Sequence, residues 1–255
     1  RDPEFKATEA HIKQFQQKVG SIGHSAVFSR PDIAKAHSLL SERLTNPTED
    51  DLESANRCTR YLYRTRFTAI LYSDKVTASV FQAASDAAFA DDYESRKSSE
   101  AFLFKLFGGP ISWAAKKQSN VTRSTTKAEL ASLSRAATHI KWWSNFFDKI
   151  GFDPEHPLHI ICDNQAAIAI TTEKVKQSSK YRTDGIHRRW LQQETARNRI
   201  KISYIPTTHM PADRLTKMLT RNGHRNFQDH LNMSDISHMI KKITLPKDHC
   251  LTKAR

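Results

Sequence analysis

The apolar positions along the chain change their period near residue 76. Before that point the pattern is helical and interrupted by turn signals. His11–Val19 mixes polar and apolar positions. Arg30-Pro31-Asp32 opens a helix through Leu40, with the proline early, where its missing N–H is no loss. Asn46-Pro47-Thr48 makes a turn, and acidic Glu49–Glu53 opens a further helix that closes on Arg57, Arg60 and Arg64, matching the helix dipole at both ends. Residues 1–75 therefore read as a helical appendage that buries little by itself.

From Val76 short strand-like runs take over. Thr77–Ser85 reads as a strand ending at Asp86. Ala101–Phe107 is a second strand and, past a turn at Gly108-Gly109-Pro110, Ile111–Trp113 a third. Successive short strands joined by turns predict an antiparallel meander. Thr126-Lys127-Ala128-Glu129 fits a capping box. Leu130, Leu133, Ala137, Ile140 and Trp143 then recur at helical spacing until Gly151, so a long helix is expected over Thr126–Ile150. Leu158–Cys162 is a short apolar run ending at Asp163, the pattern of a buried strand. A short helix over Asn164–Thr171 and a basic one over Asp184–Arg197 follow. Ile200–Ile205 is a fifth strand, broken by Pro206, and Ala212–Leu219 a last helix. The order βββαβα(α)βα, over residues 76–220, describes an α/β fold with a mixed five-stranded sheet and flanking helices. Residues 221–255 read as a polar C-terminal tail.

Charge adds a partner to this picture. The formal net charge is +13, and it is concentrated. Between Thr172 and Lys201 stand Lys174, Lys176, Lys180, Arg182, Arg188, Arg189, Arg197, Arg199 and Lys201, against Glu173, Asp184 and Glu194. Such a local excess is the electrostatic footprint of a phosphate backbone, the alternative being a solvated helix face. No apolar run approaches the length of a membrane span. The start, RDPEFKATEAH, lacks the apolar stretch of a secretory signal, so a chain that is not secreted is expected, and its opening on Arg suggests a piece of a longer product. Cys58, Cys162 and Cys250 are odd in number and far apart, which disfavours a disulfide framework and a four-ligand zinc site.

Four carboxylates fall at strand ends and helix starts: Asp86, Glu129, Asp163 and Asp213. Polar groups can converge there without crossing the core. Gathered without compensation they would repel, unless divalent cations lay between them. Magnesium takes oxygen ligands and keeps substrate phosphates in its shell. Two such ions suit the in-line displacement of a phosphodiester.

Several stretches together resemble one family. SDAAFADD (85–92), RKSSEAFLFKLFGGPISWAAKKQ (96–118), STTKAELASL (124–133), ICDNQAAIAI (161–170) and YIPTTHMPADRLTK (204–217) are similar, in order and spacing, to the ribonuclease H domain of copia-type LTR-retrotransposon polyproteins. SRPDIAKAHSLLSERLTNPT (29–48) and RCTRYLYRT (57–65) resemble the segment that follows the polymerase palm, the C-terminal part of the reverse transcriptase region, in the same polyproteins. The resemblance implies a ribonuclease H-like fold and two Mg2+ ions, with Mn2+ as a substitute. Asp86 would bridge both metals, Glu129 and Asp163 would complete one, and Asp213 the other. It implies an RNA–DNA hybrid as substrate, cut in its RNA strand, and the upstream polymerase region as a partner. It also implies a location in cytoplasmic virus-like particles or the nucleus. Lys174, Lys176, Lys180, Arg182, Arg188 and Arg189 are the expected nucleic-acid contacts, and His209, in the loop before Asp213, is a candidate proton carrier.

Two other readings are open from sequence. Phe89-Ala90-Asp91-Asp92 mimics the aromatic-x-Asp-Asp of a polymerase palm, but the polar Tyr93-Glu94-Ser95-Arg96-Lys97 follows where that hairpin needs an apolar strand. The second is a catalytically decayed remnant that binds nucleic acid without needing a metal.

Overall fold

The structure, a computed structural model, describes residues 5–73, 79–155, 157–172 and 185–240. Three helices come first: α1 (Glu9–Phe28), α2 (Ala34–Ser41) and α3 (Glu49–Arg64). Thr48 and Asp51 cap α3 reciprocally, Thr48 through its hydroxyl and Asp51 through its carboxylate. Contrary to the expectation of a segment that buries little, these helices enclose a core of their own. Phe15, Val19, Ile22, Ala26, Ile33, Leu40 and Ala55 meet there. The apolar positions of α1 recur at 15, 19, 22 and 26, so a single face serves all three helices.

After a short strand β1 (Thr68–Ile70) comes the meander β2 (Phe81–Ala88), β3 (Ser99–Leu106) and β4 (Gly109–Lys117). The hairpin between β3 and β4 has two residues, Phe107 and Gly108, both at positive φ (51° and 79°), the conformation whose twist matches the strands. Gly109 is not part of that turn. It begins β4, where a Cβ would lie 2.6 Å from the Tyr72 ring. β4 runs well beyond the expected Ile111–Trp113, and it is an edge strand, which tolerates Pro110 beside an irregularity in the ladder.

The long helix α4 (Thr125–Ile150) crosses to β5 (Leu158–Cys162); α5 (Gln165–Thr172), α6 (Gly185–Ala196) and β6 (Ile200–Tyr204) follow. The sheet order is β4-β3-β2-β5-β6, antiparallel through the meander and parallel from β2 to β6. This is the ribonuclease H-like α/β fold expected from the sequence. Phe81, Phe104, Leu133, Ile140, Phe147, Leu158, Ile160 and Leu191 fill the layer between the sheet and α4.

The other face of the sheet is covered by α7 (Asp213–Thr216), α8 (Arg221–His230) and the preceding loop. Met210, Leu215, Phe227, Leu231 and Met233 pack there against Ala84 and Leu103. The C-terminal segment is thus built into the fold as far as residue 240 rather than trailing from it. β7 (Met233–Asp235) pairs antiparallel with β1. On the same side Gln228 donates to Asp32 (3.3 Å), a carboxylate that also takes a bidentate pair of bonds from Arg30 and one from Tyr61. The N-terminal helices in turn meet the edge strand, where Trp113 Nε1 donates to the Ala26 carbonyl (2.7 Å). No described helix is long and apolar enough to cross a membrane.

Candidate active site

β2 and β5 lie side by side and run parallel, paired from Gln82↔His159 to Ala84↔Ile161. Asp86 and Asp163 each follow two residues further on, at the carboxyl ends of neighbouring strands, where open α/β sheets place their ligands. Asp86 lies within β2 rather than after it, and the alternation of the strand turns it toward α7 while Ser85 faces α4.

Ser85 also explains how α4 is held. Its hydroxyl lies 3.0 Å from that of Ser132, which in turn donates to the Asp86 carbonyl (2.8 Å). This clamp fixes α4 against the end of β2, one turn after Glu129. The helix starts earlier than the capping-box pattern implied. Ser124 is its N-cap and accepts from Lys127 N. Thr126 already lies within the helix, and Glu129 has no capping role. It is buried (3% exposed), receives a backbone hydrogen bond from Ala87, and leaves Oε2 with no hydrogen-bond partner. An orphaned buried carboxylate oxygen is costly unless something charged or donating reaches it.

The electrostatics join the four carboxylates. Burial raises Asp86 to about 6; Asp213 and Asp163 push the same way, while the hydroxyl of Thr216 (2.6 Å) opposes them. Burial also raises Glu129 to about 9, reinforced by Asp86, Asp163 and Asp213. Asp163 accepts from Thr207 Oγ1 (2.7 Å), and Asp213 is paired with Lys217. Burial acts to lower the Lys217 ammonium, but Asp213, helped by Asp86 and Asp163, outweighs it and holds it raised. All four sequence-predicted carboxylates thus act on one another across one end of the sheet. Two of them buried, Asp86 and Glu129, and two half-buried, all offering oxygen alone, they fit hard divalent cations as a donor set.

His209 is exposed on the single turn Thr207–His209 that positions Asp163 through Thr207; its ring lies 3.1 Å from the Thr208 hydroxyl. The basic candidates divide. Lys174, Lys176, Lys180 and Arg182 lie outside the described residues. Arg189 is exposed on α6, whereas Arg188, one position away, is turned inward (7% exposed) with its Nε unpartnered. Arg188 therefore belongs to the packing of α6 rather than to its outer surface. The polymerase-like aspartates are structural. Asp91 accepts from the backbone and hydroxyl of Ser99, and Asp92 accepts from Ser95 and pairs with Lys117.

Sequence reasoning missed Thr216, Ser132, Thr207 and Lys217. Only Lys217 left a trace, since Asp213 and Lys217 have the i,i+4 spacing of a helical ion pair. The hydroxyls carry no local signal, because their partners come from distant strands.

A mixed sheet of this order, with carboxylates at the ends of adjacent parallel strands, is the ribonuclease H-like fold. The chain's relatives over most of its length are retrovirus-related Pol polyproteins of plant transposons, of which it spans about 15%. It is 30% identical over 208 residues to the Pol polyprotein from transposon TNT 1-94 of Nicotiana tabacum, covering 82% of this chain and 15% of that one. The secreted RxLR effector protein 161 of Plasmopara viticola is 38% identical over 124 residues, 49% of this chain and 87% of the effector. Among solved structures it aligns with LC11-RNase H1 in complex with an RNA/DNA hybrid, at 13% identity and a TM-score of 0.39, over 53% of this chain and 92% of that one. No family model matches the chain.

Proposed function

We propose that the chain is the ribonuclease H part of a retrotransposon polyprotein, a metal-dependent endonuclease that cuts the RNA strand of RNA–DNA hybrids. The observation that carries this reading is the convergence of Asp86, Glu129, Asp163 and Asp213, with Glu129 buried and one of its oxygens unpartnered. These four side chains would hold two magnesium ions, or manganese in their place, which when bound neutralise the carboxylates and stabilise charge on the attacking and leaving oxygens.

The remaining work falls to this chain's own groups. Thr216 and Thr207 fix the rotamers of Asp86 and Asp163 by donating to one oxygen of each. His209, exposed on the turn that carries Thr207, would carry a proton to or from solvent. Arg189 and the basic residues 174–182 would meet the backbone of the hybrid.

The test is magnesium-dependent cleavage of a labelled hybrid by the 255-residue chain. Asp86→Asn removes charge but not volume, so cleavage should vanish while hybrid binding persists. Parent-like cleavage by Asp86→Asn under saturating magnesium would refute the assignment. Hybrid binding by the parent without any cleavage would identify a binding remnant instead.

A further inference from the structure

Cys162 sits where an all-oxygen site has no use for it. It is the last residue of β5, fully buried, on the side of the strand that faces α4, and directly precedes Asp163. Among the described residues, Glu129, Cys162 and Asp163 form a group whose ligand atoms all lie within 4.8 Å of one another. Two of the three have coordinating capacity to spare. Glu129, 97% buried, has Oε2 with no hydrogen-bond partner, and the bond that Asp163 accepts from Thr207 goes to Oδ2 alone. Among the described residues the sulfur accepts one long hydrogen bond, from the Asn164 amide at 3.5 Å.

A buried cysteine most often behaves as a small apolar side chain, and Cys162 does line the core beside Ile160. Core filling does not account for the unpartnered oxygen on Glu129, whose buried carboxylate belongs to the same group. Magnesium gains little from sulfur, because it selects oxygen ligands. Zinc and its softer relatives bind thiolate and carboxylate together, and three protein ligands plus a water complete a tetrahedral shell.

We infer that Glu129, Cys162 and Asp163 form a site for a thiophilic divalent cation of the zinc type, overlapping the proposed magnesium site and excluding magnesium from it. Binding forms a sulfur–metal bond as the thiol releases its proton to solvent, with no change of oxidation state. A site of this kind makes the chain sensitive to free zinc, because zinc takes Glu129 and Asp163 away from the proposed magnesium site and recruits a sulfur that magnesium does not use. Only this effect on cleavage rests on the function proposed above; the binding itself does not.

The experiment uses the full chain with Cys58 and Cys250 replaced by serine, stripped of metal and titrated with cadmium as the probe. The readout is the ultraviolet sulfur-to-cadmium charge-transfer band. One cadmium per chain should saturate the band, and Cys162→Ser should abolish it. Glu129→Gln keeps the sulfur and should weaken cadmium binding at least about tenfold, the smallest effect expected for a lost metal partner. Absence of the band in the two-serine background overturns the inference, as does its survival in Cys162→Ser or unchanged affinity in Glu129→Gln. Magnesium-dependent cleavage by the parent is measured separately, so a chain that binds cadmium but does not cut would refute only the proposed activity.

Discussion

Thr216 donates its hydroxyl hydrogen to Asp86 across 130 positions of sequence, at 2.6 Å, in a buried pocket at the end of the central strand. The same hydroxyl lies 2.9 Å from the Asp213 carbonyl oxygen. One small side chain therefore joins the β2 carboxylate to the backbone of the α7 turn that carries Asp213, and it is the largest influence opposing the rise of Asp86.

Thr216→Val should push Asp86 further above 6. A hydrogen bond to a charged group is worth about 1.5–3 kcal/mol, or about one to two pH units. The ascending limb of the cleavage rate against pH should move upward by about one unit, and Thr216→Ser should restore it. A limb that stays in place would show that Thr216 has no hold on Asp86.

Stability should depend on pH in a direction set by the raised carboxylates. Asp86 at about 6 and Glu129 at about 9 stand above the ordinary carboxylate range near 4. Between those limits the folded chain binds more protons than the unfolded chain, so stability is greatest below about pH 4 as far as these two groups are concerned. It falls as pH rises through 6 and 9. Thermal unfolding of the metal-free protein at pH 5, 7 and 9 should show this decline, and Glu129→Gln or added magnesium should flatten it. Equal slopes in parent and Glu129→Gln would remove Glu129 from the account.

Arg188 and Arg189 are adjacent but should behave oppositely. Arg189→Ala should reduce the slope of log K against log salt for hybrid binding by about one, with little change in stability. Arg188→Ala should leave the slope unchanged and lower the melting temperature, since its side chain is buried. Salt titrations and melting curves of the two variants separate these roles.

Phe227, fully buried on α8, should be needed for folding although it lies beyond the last expected helix. Phe227→Ala should cost about 3–5 kcal/mol in denaturant unfolding. Deleting residues 221–255 should yield an aggregating protein, because Met210 and Leu215 would lose their cover.

What the sequence disclosed follows from range. The meander, α4 and β5 were legible because their signals are local: alternation, a 3.6-residue period, and Gly151 in the left-handed conformation as a stop. Asp86, Glu129, Asp163 and Asp213 could be named because strand ends and helix starts are local too. The start of α4 was misplaced because Ser124, Thr125 and Thr126 can all serve as caps, and only the backbone selects Ser124. α8 was hidden because RNGHRNFQDH offers a single large apolar anchor, and the partners of that helix, such as Asp32 for Gln228, come from the other end of the chain. The inward turn of Arg188 was equally invisible, since composition counts a charge without its direction.

The pairing of β1 with β7 has a mechanical consequence. Its register sets Thr68 opposite Asp235 and Ile70 opposite Met233. A pull on residues 67 and 236 therefore loads the ladder from one end. The rungs would part singly, like a zipper, rather than resisting together in shear. A load applied between those two points would be spent on this clip first. β2 and β5, which carry Asp86 and Asp163, would stay slack until it had opened.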